Sequence, residues 1–229
     1  MRATWRRWSR LIEAPARPDL GEELESVAPA SGGLRGAKLR AVRLAGLDLS
    51  EQAAHGADLI EAALDDVDLS GAKLGSASLR DAAITGGSWA NADAEGARLR
   101  RVELRDVRMT GVGLASAQLE DVTFRGCRLD LASLRFARLV RVRFESCAMP
   151  EIDLQDAVLE SVELADCDLT GARLASATFA NCTLRRCSLD GIVNAERLAG
   201  VRLPLSDALA SVETLAAAAR IELVPDDER

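Results

Sequence analysis

Large hydrophobic residues recur at every fifth position of this chain, from Leu34 to Leu189, without a break in register. These 32 positions hold 23 Leu, 3 Phe, 2 Met, one Ile, one Trp and two Ala. A second series, two residues before each of them, is small and apolar, with 14 Ala, 8 Val and 5 Cys. A period of five fits neither the 3.6 residues of a helix nor the 2 of a strand, so it predicts a repeat architecture.

The pattern divides the chain into three segments. Residues 1–31 are aperiodic, residues 32–193 are the repeat, and residues 194–229 switch to a helical pattern with a polar tail. A coil of a repeat protein buries its apolar side chains only against its neighbours, so open ends expose apolar surface and unpaired backbone. We therefore expect the first segment to be an N-terminal cap, and the last to be a C-terminal helix that acts as a cap or as a dimer contact.

The cleaner copies of the repeat follow the pattern A(D/N)LxG, as in GADLI (56–60), GAKLG (71–75), GARLR (96–100) and CDLTGARLASATF (167–179). This pattern resembles the pentapeptide-repeat family over about 160 residues. The resemblance implies an all-β solenoid, a right-handed quadrilateral β-helix with four pentads in each coil. The 32 pentads then make about eight coils, and a spacing of about 4.8 Å between coils makes a rod roughly 38 Å long.

The C-terminal segment predicts a helix over roughly 206–220, with Ser206 as its N-cap and Asp207 in its first turn. Apolar residues repeat there at helical spacing and would form one face. Covering the last coil is one role for this helix. By resemblance to family members that dimerise through C-terminal helices, a twofold contact between two copies is the other. The residues of this candidate cap or dimer helix are Leu205, Leu209, Val212, Leu215 and Ala216.

The N-terminal segment has an apolar helical face of Trp5, Trp8, Leu11 and Ile12, with arginines elsewhere. A basic amphipathic stretch can anchor a protein to a membrane, but about nine residues is short for that role. We therefore favour a cap over the first coil.

Composition limits the partners. The net charge of -7 and the pI near 5.0 argue against direct nucleic-acid binding, which needs a basic surface. No apolar run approaches the roughly 20 residues that span a bilayer, and the N-terminus has no apolar core of a secretory signal. We expect a cytoplasmic protein with a protein partner and no membrane contact.

No catalytic, metal or cofactor motif stands out. The five cysteines occupy the small inward series, where free Cys packs as a small hydrophobe, and Cys147, Cys167 and Cys187 are spaced by 20. His55, the single histidine, falls at an outward position and predicts a solvated side chain. We expect a protein that is not an enzyme and has no cofactor.

Two places break the inward pattern. Gln52 and Ala54 put a polar and a small residue where Val and Leu are usual, and Trp89 is followed by the small Ala94. Local repacking, with the Trp89 ring filling space left by Ala94, is the favoured interpretation. The alternative is a bulge that presents GGSWANADAEG as a binding edge.

Outward charge is concentrated in two acidic belts, about 24 Å apart at β-sheet spacing. Between them lie arginines such as Arg101 and Arg141. The candidate partner-binding residues of the first belt are Asp58, Glu61, Asp65, Asp66 and Asp68. Those of the second are Asp153, Asp156, Glu160, Glu163, Asp166 and Asp168.

Three functions are compatible with this pattern. The leading hypothesis is a non-catalytic protein-interaction scaffold whose partner is unknown. The alternative comes from the resemblance, because some family members mimic DNA, bind DNA gyrase and protect it from quinolones. This chain departs from those members in its arginine-rich middle and its lack of projecting loops. A structural rod without a partner is the third.

Overall fold

The computed structural model describes residues 12–21, 23–27 and 34–224. Its main element is one parallel sheet of 11 strands. The sheet begins with a short strand, β1 (Glu25–Ser26). Six strands of eight residues follow: β2 (Lys38–Ala45), β3 (Asp58–Asp65), β4 (Ser78–Thr85), β5 (Arg98–Arg105), β6 (Gln118–Arg125) and β7 (Arg138–Glu145). The last four are shorter: β8 (Val158–Glu160), β9 (Glu163–Ala165), β10 (Thr178–Ala180) and β11 (Thr183–Arg185).

The pairing register of the sheet is 20 residues. Leu39 of β2 pairs with Leu59 of β3, and single bridges such as Asp48 with Asp68 continue the same offset outside the strands. Twenty residues are four pentads, so each coil has four sides. The fold is therefore the expected parallel β-helix of about eight coils, which confirms the predicted class.

We number the coils from residue 33 in steps of 20, so coil 1 is 33–52 and coil 8 is 173–192. Faces one to four of coil 1 are centred on Leu34, Leu39, Leu44 and Leu49, and later coils repeat them. The residue two positions after each centre is a corner. Residues 20 apart form a column that runs along the rod.

The inside of the rod, which we call the bore, is filled by the two inward series of residues. Central residues such as Leu104 and Leu114 are fully buried, and the Phe124 and Phe144 rings stack in successive coils with centroids 4.8 Å apart. Burying one such side chain stabilises the fold by about 1.5 to 3 kcal/mol. Because each inward residue lies between its counterparts in the adjacent coils, this term repeats along the rod.

The cysteines belong to this core, as predicted. All five are free, four are buried, and Cys187 is half-buried. Cys127 lies in the same column as Cys147, Cys167 and Cys187, so the column holds four thiols rather than three. Burial raises the pKa of the Cys182 thiol, which keeps it protonated at neutral pH.

The corners turn the chain through residues of positive φ, as at Gly56 (66°), Glu61 (56°), Asp66 (52°) and Gly71 (65°) around coil 2. Glycine enters this left-handed region freely, and Asn and Asp tolerate it better than other residues. A large side chain there costs on the order of 1 to 3 kcal/mol. The corner is thus the position of the pentad at which the residue type most affects backbone strain.

The Trp89 irregularity is absorbed inside the rod. Trp89 is 2% exposed and Ala94 is 1% exposed, so both side chains lie inside the rod and belong to its hydrophobic core. A β-carbon at Gly87 would lie 2.2 Å from the backbone oxygen of Val67, so glycine permits the close approach of coils 2 and 3. Burial of Trp89 is what local repacking predicts, and Trp89 does not form a protruding edge.

The N-terminal segment contacts the rod in two ways. Strand β1 pairs with β2, and the amide of Val27 donates to the Arg43 carbonyl at 3.1 Å, so this part covers the edge of coil 1. Residues 12–21 instead run lengthwise along the coils. Trp5, Trp8 and Leu11 lie outside the described residues, and Ile12, which belongs to the same predicted helical face, is buried in a non-helical stretch.

The edge of the last coil is covered by residues 195–203. A 3-10 helix (Ala195–Leu198) packs Leu198 against the core with 8% of its surface exposed. Arg202 then bridges to the coil edge, since its amide donates to the Cys182 carbonyl and its carbonyl accepts from the Leu184 amide, both at 3.0 Å.

The C-terminal helical region differs in detail from the single helix predicted over 206–220. It consists of two short helices, α1 (Leu205–Ala210) and α2 (Val212–Ala218), interrupted at Ser211. The predicted N-cap was wrong, because Pro204 is the N-cap and Ser206 lies inside the first turn. Proline has a fixed φ compatible with this position and lacks the amide that a helix start leaves unpaired.

In the part of the chain that the structure describes, no helix has the length and apolarity that crossing a membrane requires.

Candidate interaction surfaces

The acidic belt of coil 2 is partly neutralised by coil 1. The Nη2 atom of Arg40 donates to Glu61 Oε1 at 2.8 Å, and Arg43 pairs with Asp65. These pairs follow from the register, because each arginine lies near the same side of the coil as the carboxylate one coil later. Asp58, Asp66 and Asp68 form no ion pair with a described residue.

The acidic belt of coil 7 is neutralised more completely. Four of its six carboxylates approach an arginine of an adjacent coil. The pairs are Glu160 with Arg138 (2.9 Å), Glu163 with Arg143 (2.8 Å), Asp153 with Arg135 (3.8 Å), and Asp166 with Arg186.

The belts therefore carry much less free negative charge than their composition suggests. The acids without an ion pair are also divided between different sides of the rod. Asp58 is on face two, Asp156 is at a corner of face one, and Asp168 is on face four. A surface that imitates DNA needs closely spaced charges, since the duplex carries one about every 1.7 Å of its axis.

Charged residues form a second pattern along the corner between faces two and three, which we call the corner ladder. Arg101 donates to both oxygens of Asp81, at 2.6 and 2.5 Å. Arg141 likewise donates to both oxygens of Asp121, at 2.7 and 2.9 Å. The column of this ladder contains Glu61, Asp81, Arg101, Asp121, Arg141, Ser161 and Asn181.

The two aspartates of the corner ladder are buried, with exposed fractions of 6% and 7%. Hydrogen bonds from Arg101 hold the pKa of Asp81 below its ordinary value, and those from Arg141 do the same for the pKa of Asp121. Both carboxylates are therefore ionised at neutral pH. Bidentate pairs of this geometry are among the stronger charge-assisted hydrogen bonds.

Residues 12–21, which we call the strap, lie on the corner ladder. The Ala16 amide donates to Asp121 Oδ1 and the Asp19 amide donates to Asp81 Oδ1, both at 3.2 Å. The two carboxylates are two coils apart, or about 9.6 Å, and three residues of extended chain span roughly the same distance. The strap therefore runs extended and antiparallel to the progression of the coils, a placement that the sequence did not indicate.

A cavity of about 150 Å³ separates the strap from face three. The arginines of face three that line it are already paired with carboxylates, since Arg105 contacts Glu103 at 2.7 Å, Arg125 contacts Glu145 at 2.8 Å and Arg143 contacts Glu163 at 2.8 Å. We therefore regard the arginines under the strap as members of an ion-pair network rather than as a free anion site.

Two exposed apolar residues on the outside of the rod were missed by the sequence reasoning. Leu131 is 58% exposed and Phe136 is 56% exposed. They occupy the two corners that flank face one of coil 6, with positive φ of 58° and 59°. The signal was present in the sequence, because both positions lie two residues after a central Leu, where Gly, Ser, Asn and Asp predominate.

The predicted apolar face of the C-terminal helices is mostly turned away from the rod. Leu205, Leu209 and Val212 are exposed, at 77%, 64% and 44%. Leu215 is half-buried, and Ala216 is buried at 7%. Thr214 fixes α2 to the coils by donating from Oγ1 to the Leu189 carbonyl at 3.2 Å.

Residues that could carry chemistry do not converge in the described structure. His55 is exposed, as predicted. Among the residues described, no three His, Cys, Asp or Glu side chains are grouped so that they could hold a metal ion.

This architecture defines a repeat protein of the parallel β-solenoid class. A family model described as a pentapeptide repeat region matches residues 97–174 and 117–194, and a model of pentapeptide repeats in eight copies matches 34–71 and 77–112. Together these ranges cover more than half of the 229 residues. The chain belongs to the pentapeptide-repeat family.

Solved structures of the same fold are distant in sequence. HetL, involved in heterocyst differentiation regulation in the cyanobacterium Nostoc sp. strain PCC 7120, is 20% identical over 76% of this chain and 93% of its own, with a TM-score of 0.32. Full-length QnrB1, a plasmid-mediated fluoroquinolone resistance protein, is 16% identical over 76% and 99%, with a TM-score of 0.37. These likenesses are too weak to support an argument about function. A comparison with curated proteins finds no match.

Proposed function

We propose that the protein is a non-catalytic scaffold that binds a protein partner through the outside of its rod. The observation that carries this proposal is the exposure of large apolar side chains at fixed positions on the coils, at Leu131 and Phe136. The 20-residue register holds such side chains in rigid rows, so binding would require little ordering of the surface. Exposed apolar groups on a rigid support are typical of protein interfaces.

Affinity capture at two salt concentrations tests the scaffold. We expect a partner to be retained in both 0.15 M and 0.5 M salt, because an interface with an apolar centre is less screened than one made of exposed charges. The protein must be shown to be folded by circular dichroism in the same buffers. A folded chain that captures no protein at either salt concentration would contradict the proposal.

A gyrase-binding DNA mimic is the second candidate. Its support is the net charge of -7 together with belt acids that form no ion pair with a described residue, such as Asp66, Asp156 and Asp168. It ranks second because six of the eleven belt carboxylates are paired with arginines in adjacent coils. Binding of this kind should weaken steeply as salt rises.

Gyrase supercoiling, with and without a quinolone, tests the second candidate over a titration of the purified protein. Inhibition or drug protection at low micromolar concentration would move it to first place. The variant that neutralises Asp153, Asp156, Glu163 and Asp166 together should then lose the effect. An unchanged effect in that variant would remove these residues from the mechanism.

We also infer that the exposed face of α1 contacts a second copy of the chain. Leu205 and Leu209 are the most exposed leucines described, and they lie one helical turn apart. Sedimentation of the wild type should show a dimer at micromolar concentration, and Leu205→Ser with Leu209→Ser should sediment as a monomer. A wild-type monomer at 100 µM would contradict this contact.

A further inference from the structure

We propose that Leu131, Phe136 and the small residues beside them form the docking surface for a partner segment whose apolar side chains are flanked by Lys or Arg. This proposal rests on the scaffold function and specifies where and to what the scaffold binds. We call the surface the Leu–Phe patch. It consists of Leu131 and Phe136 in coils 5 and 6 and of Gly111, Gly113, Ala115 and Ser116 one coil before them.

The two large residues are unusual in their columns. The other corners before face one carry Glu51, Gly71, Asn91, Gly111, Glu151, Gly171 and Gly191. The corners after face one carry Gly36, Gly56, Ser76, Gly96, Ser116, Asp156 and Ser176. Leu and Phe are strained at positive φ, and neither is buried enough to be retained for the stability of the core. Strain without burial, at both ends of one face, points to a role in binding.

The neighbouring residues shape the patch. Gly111 and Ser116 lie directly before Leu131 and Phe136 in the same columns, and Gly113 bridges to Ser133 within face one. The apolar side chains therefore stand beside a flat area of small residues. Arg135 lies between the two corners with its guanidinium carbon 5.7 Å from the centroid of the Phe136 ring. This cation–π contact orients the ring at the rim of the face.

The charges around the patch identify the chemistry of its partner. Glu151 and Asp156 follow Leu131 and Phe136 in the same columns, and Glu95 lies on face one in coil 4. None of these three forms an ion pair with a described residue, in contrast to Asp153, which lies 3.8 Å from Arg135. Glu95 in coil 4 lies about 14 Å along the rod from Glu151 and Asp156, which are at the end of coil 6 and the start of coil 7, and the patch is between them. Charge complementarity therefore calls for basic groups on both sides of an apolar centre.

A peptide with that chemistry is available as a probe. The synthetic peptide MRATWRRWSRL, which repeats residues 1–11 of this chain, combines two Trp with four Arg. Its charge-reversed form, with every Arg replaced by Glu, tests the contribution of Glu95, Glu151 and Asp156. A form with both Trp replaced by Ser tests the apolar centre.

The experiment measures binding of these peptides to the full chain by fluorescence anisotropy at 0.15 M salt. We expect the basic Trp peptide to bind, and each of the two altered peptides to bind at least tenfold more weakly. The variant carrying Leu131→Asn and Phe136→Asn should lose at least tenfold in affinity. Val193→Asn, which replaces an exposed Val outside the patch, should bind the peptide as the wild type does.

Thermal unfolding separates a binding role from a structural one. Asn91 and Asn181 already occupy corners with positive φ of 55°, so the substituted asparagines adopt a native-like conformation. Removing the strain should leave Tm unchanged or raise it by about 2 to 4 °C. The double Asn variant would then bind the peptide more weakly while the fold keeps its stability, as expected if both residues serve binding. A marked fall in Tm would show that Leu131 and Phe136 are kept for the fold and would overturn the proposal.

Two further results would overturn it. The first is equal affinity of the wild type and the double Asn variant for the basic Trp peptide. The second comes from a variant that lacks residues 1–11. If this variant binds the peptide at least tenfold more tightly than the full chain does, the patch is the binding site of the chain's own N-terminus and not of a separate partner. Equal binding by the full chain and the shortened variant supports a separate partner.

Failure of the patch remains distinguishable from failure of the scaffold. A partner found by affinity capture that binds the double Asn variant as well as it binds the wild type leaves the scaffold intact and excludes the Leu–Phe patch. The scaffold itself fails only when the folded wild type captures no partner.

Discussion

The bore of the rod and its corner ladder are built by the same 20-residue register but meet different physical demands. In the bore, every residue contacts its counterparts in the coils before and after, and only apolar side chains are stable there. On the corner ladder, neighbours must be complementary rather than alike, so Asp81 pairs with Arg101 and Asp121 with Arg141. The backbone repeats in every coil, but the residue type repeats only at the buried positions, because burial there requires an apolar side chain.

The largest difference between the two regions is expected from placing a charge in the bore. We predict that Leu104→Arg prevents folding, because Leu104 is 0% exposed and the new guanidinium would be buried without a partner. Circular dichroism and size-exclusion chromatography measure this. Leu223→Arg is the matched control, since Leu223 is 50% exposed and should accept the same change. A folded Leu104→Arg protein would show that the assignment of the bore is wrong.

Breaking one pair of the corner ladder should have a moderate effect. We predict that Asp121→Asn lowers the free energy of unfolding by about 1 to 3 kcal/mol, because Arg141 loses a buried bidentate partner. Urea unfolding gives this value, and the exposed Asp106→Asn should stay within about 0.5 kcal/mol of the wild type. Equal effects of the two variants would mean that the ladder pair adds no specific stability.

Acid should release the strap before it affects the bore. The folded-state pKa values of Asp81 and Asp121 are lowered, so their ionised forms stabilise the fold above the unfolded-state pKa of about 3.9. This contribution is lost as the pH falls through the lower folded-state pKa values. We predict that the amide signals of Ala16 and Asp19 stay unchanged from pH 7 to about pH 4.5 and shift below about pH 3.9.

Nuclear magnetic resonance measures the strap amides directly, with the Val122 amide in β6 as an internal control for the coils. Release of the strap near pH 6 would show that the two aspartates are not its anchors.

The smallest effect is expected from the exposed ion pairs of the belts. Arg138 and Glu160 have side chains that are 57% and 49% exposed, and such pairs contribute about 0 to 1 kcal/mol. We predict that Glu160→Gln changes the free energy of unfolding by less than about 1 kcal/mol in urea. A larger loss would mean that the belt pairs, like those of the corner ladder, hold the coils together.

Most of the coil architecture could be predicted, because the five-residue spacing of the inward residues indicates the repeat directly. The C-terminal segment could be predicted only as helical. Its apolar spacing suggested one helix over 206–220, but the chain forms α1 and α2 with a break at Ser211, which is itself 6% exposed. Ser211 and Ala216 are both buried, and Thr214 donates to the Leu189 carbonyl of the last coil. Such tertiary contacts override the local helical pattern, since an isolated helix of this length is marginal in water.

The candidate surfaces could be predicted less well. The acidic residues of the belts could be recognised from the sequence. Their arginine partners could not, because they lie about 20 residues away in the sequence and become neighbours only when the coils stack. Leu131 and Phe136 could have been recognised from their corner positions, because Leu and Phe are unusual there. The strap could not, since Ala16 and Asp19 contribute only backbone amides to Asp121 and Asp81.

The sequence by itself therefore determined the family, the register and the inside of the rod, because burial admits few residue types and leaves a strict period in the chain. The tertiary structure alone decided which surface charges are neutralised, where the strap lies and which apolar residues face outward. Those properties depend on contacts between residues far apart in the sequence, and solvent accepts many residue types at each outward position. These surface properties therefore leave no periodic pattern in the sequence from which they could be predicted.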